Sequence, residues 1–350
     1  MKKSLLALAA LTAFAGVASA QSSVTLFGII DLAARNVKND GTAGSLKTLS
    51  TNGNASSRLG FRGIEDLGGG LRAGFWLEGD ISADVGGGQK TAATVNGSTA
   101  NGMDWQRRST VSLIGNFGEI RLGRDYTPTF NTVATYDAWG YVGVATLANV
   151  RSGIASGATT GVRANNAISY FLPAMGGLYG QVQVAAGENA TGNKYVGGRL
   201  GYAAGPVNVS ASYGKTYKTG IMVDDLKQAE IGASFNAGFA TFQGVYEKAS
   251  YSSNSQKLFN GSVLVPLGSG TLKASYTKTS GSIAFAATQY GFGYVYDLSK
   301  RTSMYAQYGS VNNDGTNLTG ASFTASSGGN AGITRGGTSS GYEFGVRHNF

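Results

Sequence analysis

The side chains that carry out most enzyme chemistry are scarce in this sequence. Its 350 residues include one histidine, His348, and no cysteine, which argues against a Ser–His–Asp triad and against a His or Cys metal cluster. The segment Gly88-Gln89-Lys90-Thr91 lacks the glycine that directly precedes lysine in a phosphate-binding loop. The acidic pairs Glu65-Asp66 and Asp224-Asp225 could bind a divalent cation, although solvated charge is the commoner role of such pairs. We therefore expect no enzyme activity, no cofactor and no metal.

Arginine is the residue type that remains for specific chemistry. A guanidinium is charged at any relevant pH and offers several donors to phosphate, sulfate or carboxylate. The chain has 28 Lys and Arg against 19 Asp and Glu, a formal net charge of +9. The basic residues are scattered rather than clustered, so we do not expect nucleic acid as a partner.

The first twenty residues have the pattern of a secretory signal peptide. Lys2 and Lys3 precede an apolar stretch that ends at Val17, and Ala18-Ser19-Ala20 supplies small residues for cleavage. We therefore exclude residues 1–20 from the fold and predict one domain over residues 21–350. An exported chain without cysteine needs no disulfide framework.

After residue 20 the dominant pattern has a period of two. Residues 207–213 place Val, Val, Ala and Tyr on one face and Asn, Ser and Ser on the other, the alternation of a β-strand. The pattern recurs in segments of about ten residues, which is the length of a membrane-crossing strand. Seven short turns separate pairs of segments, and the other connections, including one predicted from Ala34 to Ser56, are long and rich in Gly, Ser, Thr and Asn. With both termini at the short-turn end, these connections imply sixteen strands.

Two β architectures are compatible with this alternation, a soluble sandwich and a transmembrane barrel. Strands can cross hydrocarbon only in a closed barrel, because every backbone donor and acceptor must be paired internally. An uncharged apolar face, aromatic residues and alternating short and long connections favour the barrel. A barrel of sixteen strands leaves a water-filled channel. We therefore predict an all-β, 16-stranded antiparallel transmembrane β-barrel with short periplasmic turns and long outer loops.

Several motifs resemble those of a known family. The start Ser22-Ser23-Val24-Thr25-Leu26-Phe27-Gly28-Ile29-Ile30-Asp31, the segment Ser57-Arg58-Leu59-Gly60-Phe61-Arg62-Gly63 and the segment Arg163-Ala164-Asn165-Asn166 are similar to those of Gram-negative general porins, in particular the betaproteobacterial, anion-selective branch. The resemblance implies a homotrimer in the outer membrane, in contact with its lipid and lipopolysaccharide. It also implies that Phe350 is the signal read by the barrel assembly machinery, and that a third loop over about residues 126–162 folds into the pore.

The resemblance also assigns residues to the pore. It places Arg58, Arg107 and Arg163 in a basic ladder opposite the third loop, with Glu78 nearby. The strand alternation independently directs Arg58, Glu78 and Arg163 toward the lumen. A bracing role remains open, because lumen arginines in barrels commonly pair with acidic residues to stiffen the wall.

The third loop departs from the enterobacterial pattern. Many enterobacterial general porins carry an acidic Pro-Glu-Phe-Gly-Gly motif there, whereas this chain reads Tyr126-Thr127-Pro128-Thr129-Phe130. We expect the loop residues of the constriction to include Asp125, Tyr126, Asp137 and Trp139. A loop without the acidic motif favours anions over cations.

These patterns predict a channel for passive diffusion of small hydrophilic solutes and ions, with a preference for small anions. Two alternatives use the same scaffold. One is a substrate-specific channel, which needs a defined binding track along the pore. The other is an adhesin or enzyme that the barrel anchors and that acts through its outer loops.

Overall fold

The computed structural model describes residues 23–41, 44–88, 104–151, 154, 157–282, 286–314, 323–325, 333–334 and 336–350. The predicted signal peptide lies outside these residues. Eighteen strands are present in the described part: β1 Ser23–Asn39, β2 Ser45–Thr51, β3 Arg58–Gly68, β4 Leu71–Ser82, β5 Gly87–Gly88, β6 Arg108–Gly115, β7 Gly118–Tyr126, β8 Arg163–Phe171, β9 Leu178–Ala185, β10 Tyr195–Ala204, β11 Val207–Thr216, β12 Leu226–Asn236, β13 Thr241–Tyr251, β14 Asn254–Leu267, β15 Gly270–Gly281, β16 Ala287–Asp297, β17 Thr302–Asn313 and β18 Thr338–Asn349.

These strands close into one antiparallel barrel. Each wall strand pairs with its neighbours in the sequence, and β18 returns to pair with β1. Two of the strands add no wall position: β5 is a two-residue pairing on the end of β4, and β2 continues the line of β3 along the same edge of β1. The wall that the structure describes therefore has sixteen strands, which confirms the predicted fold. Closure leaves no unpaired sheet edge.

The two faces of each strand meet different surroundings. Along β12, Ile231 is 61% exposed on the outside, whereas the next lumen residue, Glu230, is 4% exposed. Along β18, Phe344 is 59% exposed and Glu343 is fully buried. His348 is exposed on the same outer face as Phe344, as the alternation predicts. Apolar side chains therefore cover the outside, where hydrocarbon is the solvent, and polar side chains fill the inside.

The connections also follow the prediction, with one exception. The seven short connections are present, and the longest described connection joins β7 to β8 across residues 127–162. We expected a long loop from Ala34 to Ser56, but β1 continues to Asn39 and pairs there with β2. Both faces of this extension carry polar residues, so the apolar alternation that marks the other strands is missing. No helix in the described part of the chain is long and apolar enough to cross a membrane.

The third loop folds into the barrel rather than away from it. The loop begins with helix α1, Pro128–Thr135. The side chain of its N-cap residue, Thr127, accepts a hydrogen bond from the backbone N–H of Phe130. Proline at the first helical position suits this start, because it has no N–H to leave unpaired. A single 3₁₀ turn, Leu147–Val150, follows. Val133, Tyr136 and Leu147 are fully buried, so the loop has a packed core against the barrel interior.

Candidate functional site: the pore constriction

The third loop is attached to one side of the barrel. Its hydrogen-bond partners lie on β9, β10, β11, β13, β15, β16 and β18, and no side-chain anchor of the described loop residues reaches β3, β4 or β6. The anchoring pairs are Thr129 with Tyr195, Asn131 with Gln181, Tyr136 with Ser210, Trp139 with Ser275, Val144 with Glu343, Thr146 with Gln289 and Arg151 with Glu247. The open part of the lumen therefore lies between the loop and the wall formed by β3 to β8.

Asp137 organises the middle of the loop. Its carboxylate accepts hydrogen bonds from the backbone N–H of Trp139 at 3.3 Å, from that of Tyr141 at 2.9 Å and from the Thr146 hydroxyl at 2.6 Å. Burial raises the pKa of the Asp137 carboxyl, and these hydrogen bonds offset part of that rise because they stabilise the ionised form. Asp137 thus fixes the loop backbone rather than facing the pore.

Trp139 lies on the wall side of the loop. It is 1% exposed, and its indole N–H donates to the Ser275 hydroxyl at 2.8 Å. The Lys273 ammonium lies 5.6 Å from the ring centroid and donates to the Ala138 carbonyl at 2.9 Å. Trp139 is therefore an anchor of the loop and does not line the constriction.

Three guanidiniums come together on the wall opposite the loop. Arg58 begins β3, Arg107 directly precedes β6, and Arg163 begins β8. We call these three residues the basic wall. They line, with loop residues of the opposite side, a cavity of about 450 Å³. The loop residues that face them carry no charge: Phe130, Asn131, Ala134, Thr135, Gly140 and Tyr141.

Two carboxylates neutralise part of this charge. Arg107 donates from Nε to Glu78 at 2.5 Å and from Nη1 to Asp80 at 2.7 Å, and its side chain is 7% exposed. Arg58 lies 3.3 Å from the same Glu78 oxygen. Three guanidiniums face two carboxylates, so the constriction keeps a formal excess of one positive charge.

Arg163 forms no ion pair with a carboxylate of the described residues. Its Nε donates to the Arg107 carbonyl at 2.7 Å and its Nη2 to the Tyr126 hydroxyl at 2.8 Å. The guanidinium lies 4.4 Å from the centroid of the Tyr126 ring, an arrangement that orients an arginine without cancelling its charge. Arg163 therefore presents its full positive charge to the cavity.

The four expected loop residues separate in the structure. Asp125 lies inside β7, not in the loop, and its carboxylate points inward because it shares the face of β7 that carries Glu119 and Arg121. It pairs with Arg121 at 2.5 Å. Tyr126 ends β7 and lines the cavity. Asp137 and Trp139 lie in the loop but hold it, as described above.

The alternation rule misses two parts of the lumen. Residues 52–57 leave the wall between β2 and β3, and Asn52 and Ser56 line the cavity. The Asn52-Gly53-Asn54 sequence, typical of tight turns, is the signal that could have revealed this excursion. Arg107 and Arg108 both serve the interior although they are adjacent, because Arg107 lies before β6 begins and escapes the period of two.

Below the constriction, toward the short turns, a second group of side chains lines a cavity of about 410 Å³. The guanidiniums of Arg62 and Arg108 lie 5.2 and 4.5 Å from the Trp76 ring, and Phe27 meets Trp76 edge to face at 4.9 Å. We call Phe27, Arg62, Trp76 and Arg108 the lower row. Arg62 makes no ion pair with a described carboxylate.

The C-terminal residue completes the barrel seam. The Phe350 backbone N–H donates to the Gly28 carbonyl at 3.0 Å, and the Gly28 N–H donates to the Phe350 carbonyl at 3.1 Å. Its ring lies over Gly28, where an added Cβ would be 2.2 Å from the ring. Phe350 thus fastens β18 to β1.

No group of three or more His, Cys, Asp or Glu in the described part of the chain could hold a metal.

Comparison with known proteins agrees with this architecture. Outer membrane porin protein 32 of Delftia acidovorans is 38% identical over 370 residues and covers 100% of both chains. Major outer membrane protein P.IB of Neisseria meningitidis serogroup B is 29% identical over 339 residues, covering 88% of this chain and 93% of that protein.

Solved porin structures also superpose on this chain. The structure described as the anion-selective porin from Comamonas acidovorans superposes with a TM-score of 0.83 at 35% identity, over 94% of this chain and 100% of that one. A trimer form of OmpT from Vibrio cholerae shares the fold alone, with a TM-score of 0.65 at 15% identity over 94% and 99% of the two chains. The Gram-negative porin family model matches residues 7–316. The chain therefore belongs to the Gram-negative porins, which form channels in the outer membrane.

Proposed function

We propose that this porin passes small anions in preference to cations, and that the basic wall of Arg58, Arg107 and Arg163 creates the preference. The observation that carries the proposal is the unequal charge of the constriction: three guanidiniums face two carboxylates, and no charged loop residue lines the opposite side. A fixed positive charge in a narrow, low-dielectric passage raises the local concentration of anions and lowers that of cations. The anion-selective porin from Comamonas acidovorans, with the same fold at 35% identity, supports this proposal.

The three arginines divide the work. Arg107, held by Glu78 and Asp80, is fixed in place, and its own charge is largely cancelled. Arg163, without an acidic partner, provides the contact for a passing oxyanion or chloride. The contact is weak because water and salt surround it, and weak binding lets an ion leave as fast as it enters. Bracing and selection are thus performed by different members of the basic wall.

The experiment that tests this proposal is a reversal-potential measurement in planar bilayers under a potassium chloride gradient. The wild-type channel should reverse toward the chloride potential. A triple variant, Arg58→Gln with Arg107→Gln and Arg163→Gln, should lose the anion preference and reverse toward the potassium potential while still conducting, because the carboxylates of Glu78 and Asp80 remain. Selectivity that stays unchanged in a conducting triple variant would contradict the proposal. A matched control is Arg301→Gln, which removes one exposed cation from a short turn.

The assembly features are also proposals. We infer that three copies of this chain associate, with outer-membrane lipid and lipopolysaccharide around them; the OmpT structure with the same fold is a trimer form. We further propose that residues 1–20 direct export and that Phe350 is read by the barrel assembly machinery. The seam role of Phe350 supports the second point, because a chain without it leaves the Gly28 backbone pairing unmade. Deletion of Phe350 should lower the amount of assembled barrel recovered from membranes.

A second candidate function is favoured by the lower row. Arg62 and Arg108 beside the Trp76 ring could bind an organic anion through charge and ring contact together, which would make the channel substrate-specific. Such binding predicts saturable block of chloride current by an aromatic carboxylate such as benzoate. Block that is linear in concentration, or absent, favours unspecific diffusion.

A further inference from the structure

Asp31 is a fully buried carboxylate in the wall that the channel function described above does not use. It lies on β1 in the lumen row that also contains Phe27 and Ile29, and its exposure is 0%. A buried carboxylate is costly unless hydrogen bonds satisfy its oxygens. The Asp31 oxygens must therefore accept hydrogen bonds from nearby donors.

They hold the backbone of the excursion formed by residues 52–57. The N–H of Gly53 donates to Oδ1 of Asp31 at 3.1 Å, and the N–H groups of Asn54 and Ala55 donate to Oδ2 at 2.9 and 2.6 Å. Three successive backbone donors thus converge on one side chain. The Tyr305 hydroxyl also donates to Oδ1. Hydrogen bonds to an ionised acceptor are the strong ones in proteins.

The strand register explains why such a support is needed. Ile29 pairs with Arg58 in β3, and Leu32 pairs with Thr51 in β2. Two residues of β1, 30 and 31, therefore face six residues, 52–57. The four extra residues cannot pair within the wall, so the segment leaves the sheet. A segment that leaves the sheet loses its backbone hydrogen bonds to the neighbouring strand. Asp31 replaces those bonds from the opposite strand.

Aromatic packing supports the same segment from beneath. Tyr305 reaches from β17 across Gly345 of β18 to Asp31, and an added Cβ on Gly345 would lie 2.3 Å from its ring. Gly53 rests on the Tyr305 hydroxyl, where an added Cβ would lie 2.2 Å away. The Gln307 amide donates to the Gly53 carbonyl at 3.2 Å. Only a glycine at position 53 lets the excursion lie this close to the wall.

The excursion in turn positions Arg58. The Nε of Arg58 donates to the Ser56 carbonyl at 2.9 Å, so one edge of the guanidinium is tied to the excursion and the other faces Glu78. Loss of Asp31 would release 53–55 and with them the Ser56 carbonyl. The chain of contacts runs from Asp31 through the excursion backbone to a guanidinium of the constriction.

We propose that Asp31 is a positioning residue of the pore: it holds residues 52–57 inside the lumen and, through the Ser56 carbonyl, fixes Arg58 for anion selection. This inference rests on the proposed role of the basic wall. It predicts a change in anion preference opposite to the change expected from charge alone. Removal of a negative charge from a pore ordinarily increases the preference for anions, whereas removal of Asp31 should decrease it, because Arg58 loses its orientation.

The test compares Asp31→Asn, Arg58→Gln and the double variant by reversal potential in planar bilayers. We expect Asp31→Asn to lower the chloride-to-potassium permeability ratio by about twofold, close to the effect of Arg58→Gln. The double variant should match Arg58→Gln alone, because residues that act through one another are not additive. A ratio that rises in Asp31→Asn, or effects that add, would overturn the proposal. Asp66→Asn, which removes an exposed carboxylate from the short-turn end of β3, is the matched charge control.

A second variant tests the excursion without changing Asp31 itself. A second readout reports the mobility of the excursion and does not depend on Arg58. Gly53→Ala leaves Asp31 in place and pushes the excursion off Tyr305, so it should lower the ratio in the same direction. Because the chain has no cysteine, a spin label on Ser56→Cys reports the excursion alone. The label should gain mobility in both Asp31→Asn and Gly53→Ala. A label that stays immobile refutes the holding role, whereas an unaltered ratio in Arg58→Gln refutes only the proposed role of Arg58.

Discussion

Replacement of Arg163 by glutamine is the sharpest single test of the constriction. The substitution removes the one guanidinium of the basic wall that has no carboxylate partner, while the amide can still donate toward the Tyr126 hydroxyl that Arg163 contacts at 2.8 Å. The formal charge of the constriction changes from one positive excess to zero. No buried ion pair is broken, so folding should be little affected.

The expected magnitude follows from Coulomb's law. An ion about 5 Å from a unit charge in a water-filled pore gains or loses about 0.8 kcal/mol, and screening at about 0.1 M salt reduces this to about 0.5 kcal/mol. That energy changes the local concentration of an anion about 2.3-fold and that of a cation about 2.3-fold in the opposite direction. The chloride-to-potassium permeability ratio of Arg163→Gln should therefore fall by about fivefold.

The assay is the reversal potential across a potassium chloride gradient, repeated at low and high ionic strength. The difference between wild type and Arg163→Gln should shrink at about 1 M salt, where the screening length is about 3 Å. Single-channel conductance confirms that the pore is intact. A ratio equal to that of wild type at low salt, in a channel of normal conductance, would show that Arg163 does not act on passing ions.

Three further outcomes follow from the same contacts. Arg107→Gln leaves the buried carboxylate of Asp80 without its ion-pair partner and Glu78 with Arg58 alone, so the free energy of unfolding measured in urea should fall by about 3 kcal/mol; an unchanged urea midpoint would exclude bracing. Trp139→Ala removes the anchor to Ser275, and open-channel current noise should increase as the loop becomes more mobile. Noise equal to that of the wild type would show that the other anchors are sufficient to hold the loop. Arg62→Gln in the lower row should weaken current block by benzoate without changing the conductance in chloride alone, and equal block in both channels would remove the second candidate function.

Sequence patterns predict the wall better than the interior. The alternation over residues such as Ile231 and Phe344 reflects a single demand, an apolar outer surface, that acts on every strand in the same way. The upper part of β1 was predicted as loop because Arg35, Asn36 and Lys38 do not meet that demand. Outside the hydrocarbon no apolar outer face is required, so the sequence of this part of β1 carries no period of two.

The constriction depends on contacts that no local pattern encodes. Arg58 and Arg163 could be placed in the lumen from strand parity, but the support of Arg58 by Asp31 joins positions that are 22 to 27 residues apart in the sequence. Asp137 and Trp139 were expected at the constriction because they lie in its loop, whereas the loop turns these two side chains away from the cavity. Which face of a folded loop meets water is decided by its anchors, and those anchors come from strands far away in the sequence.

The division between bracing and selection explains why the constriction contains acidic residues at all. Three neighbouring guanidiniums without counter-charges would repel one another and turn away toward solvent. Glu78 and Asp80 hold Arg107 in the wall, and the Arg107 carbonyl then accepts a hydrogen bond from Arg163 at 2.7 Å. The carboxylates thus fix the backbone that positions the unpaired charge. A channel with all its arginines paired would be rigid but unselective, and one with none paired would lose the geometry that keeps Arg163 at the cavity.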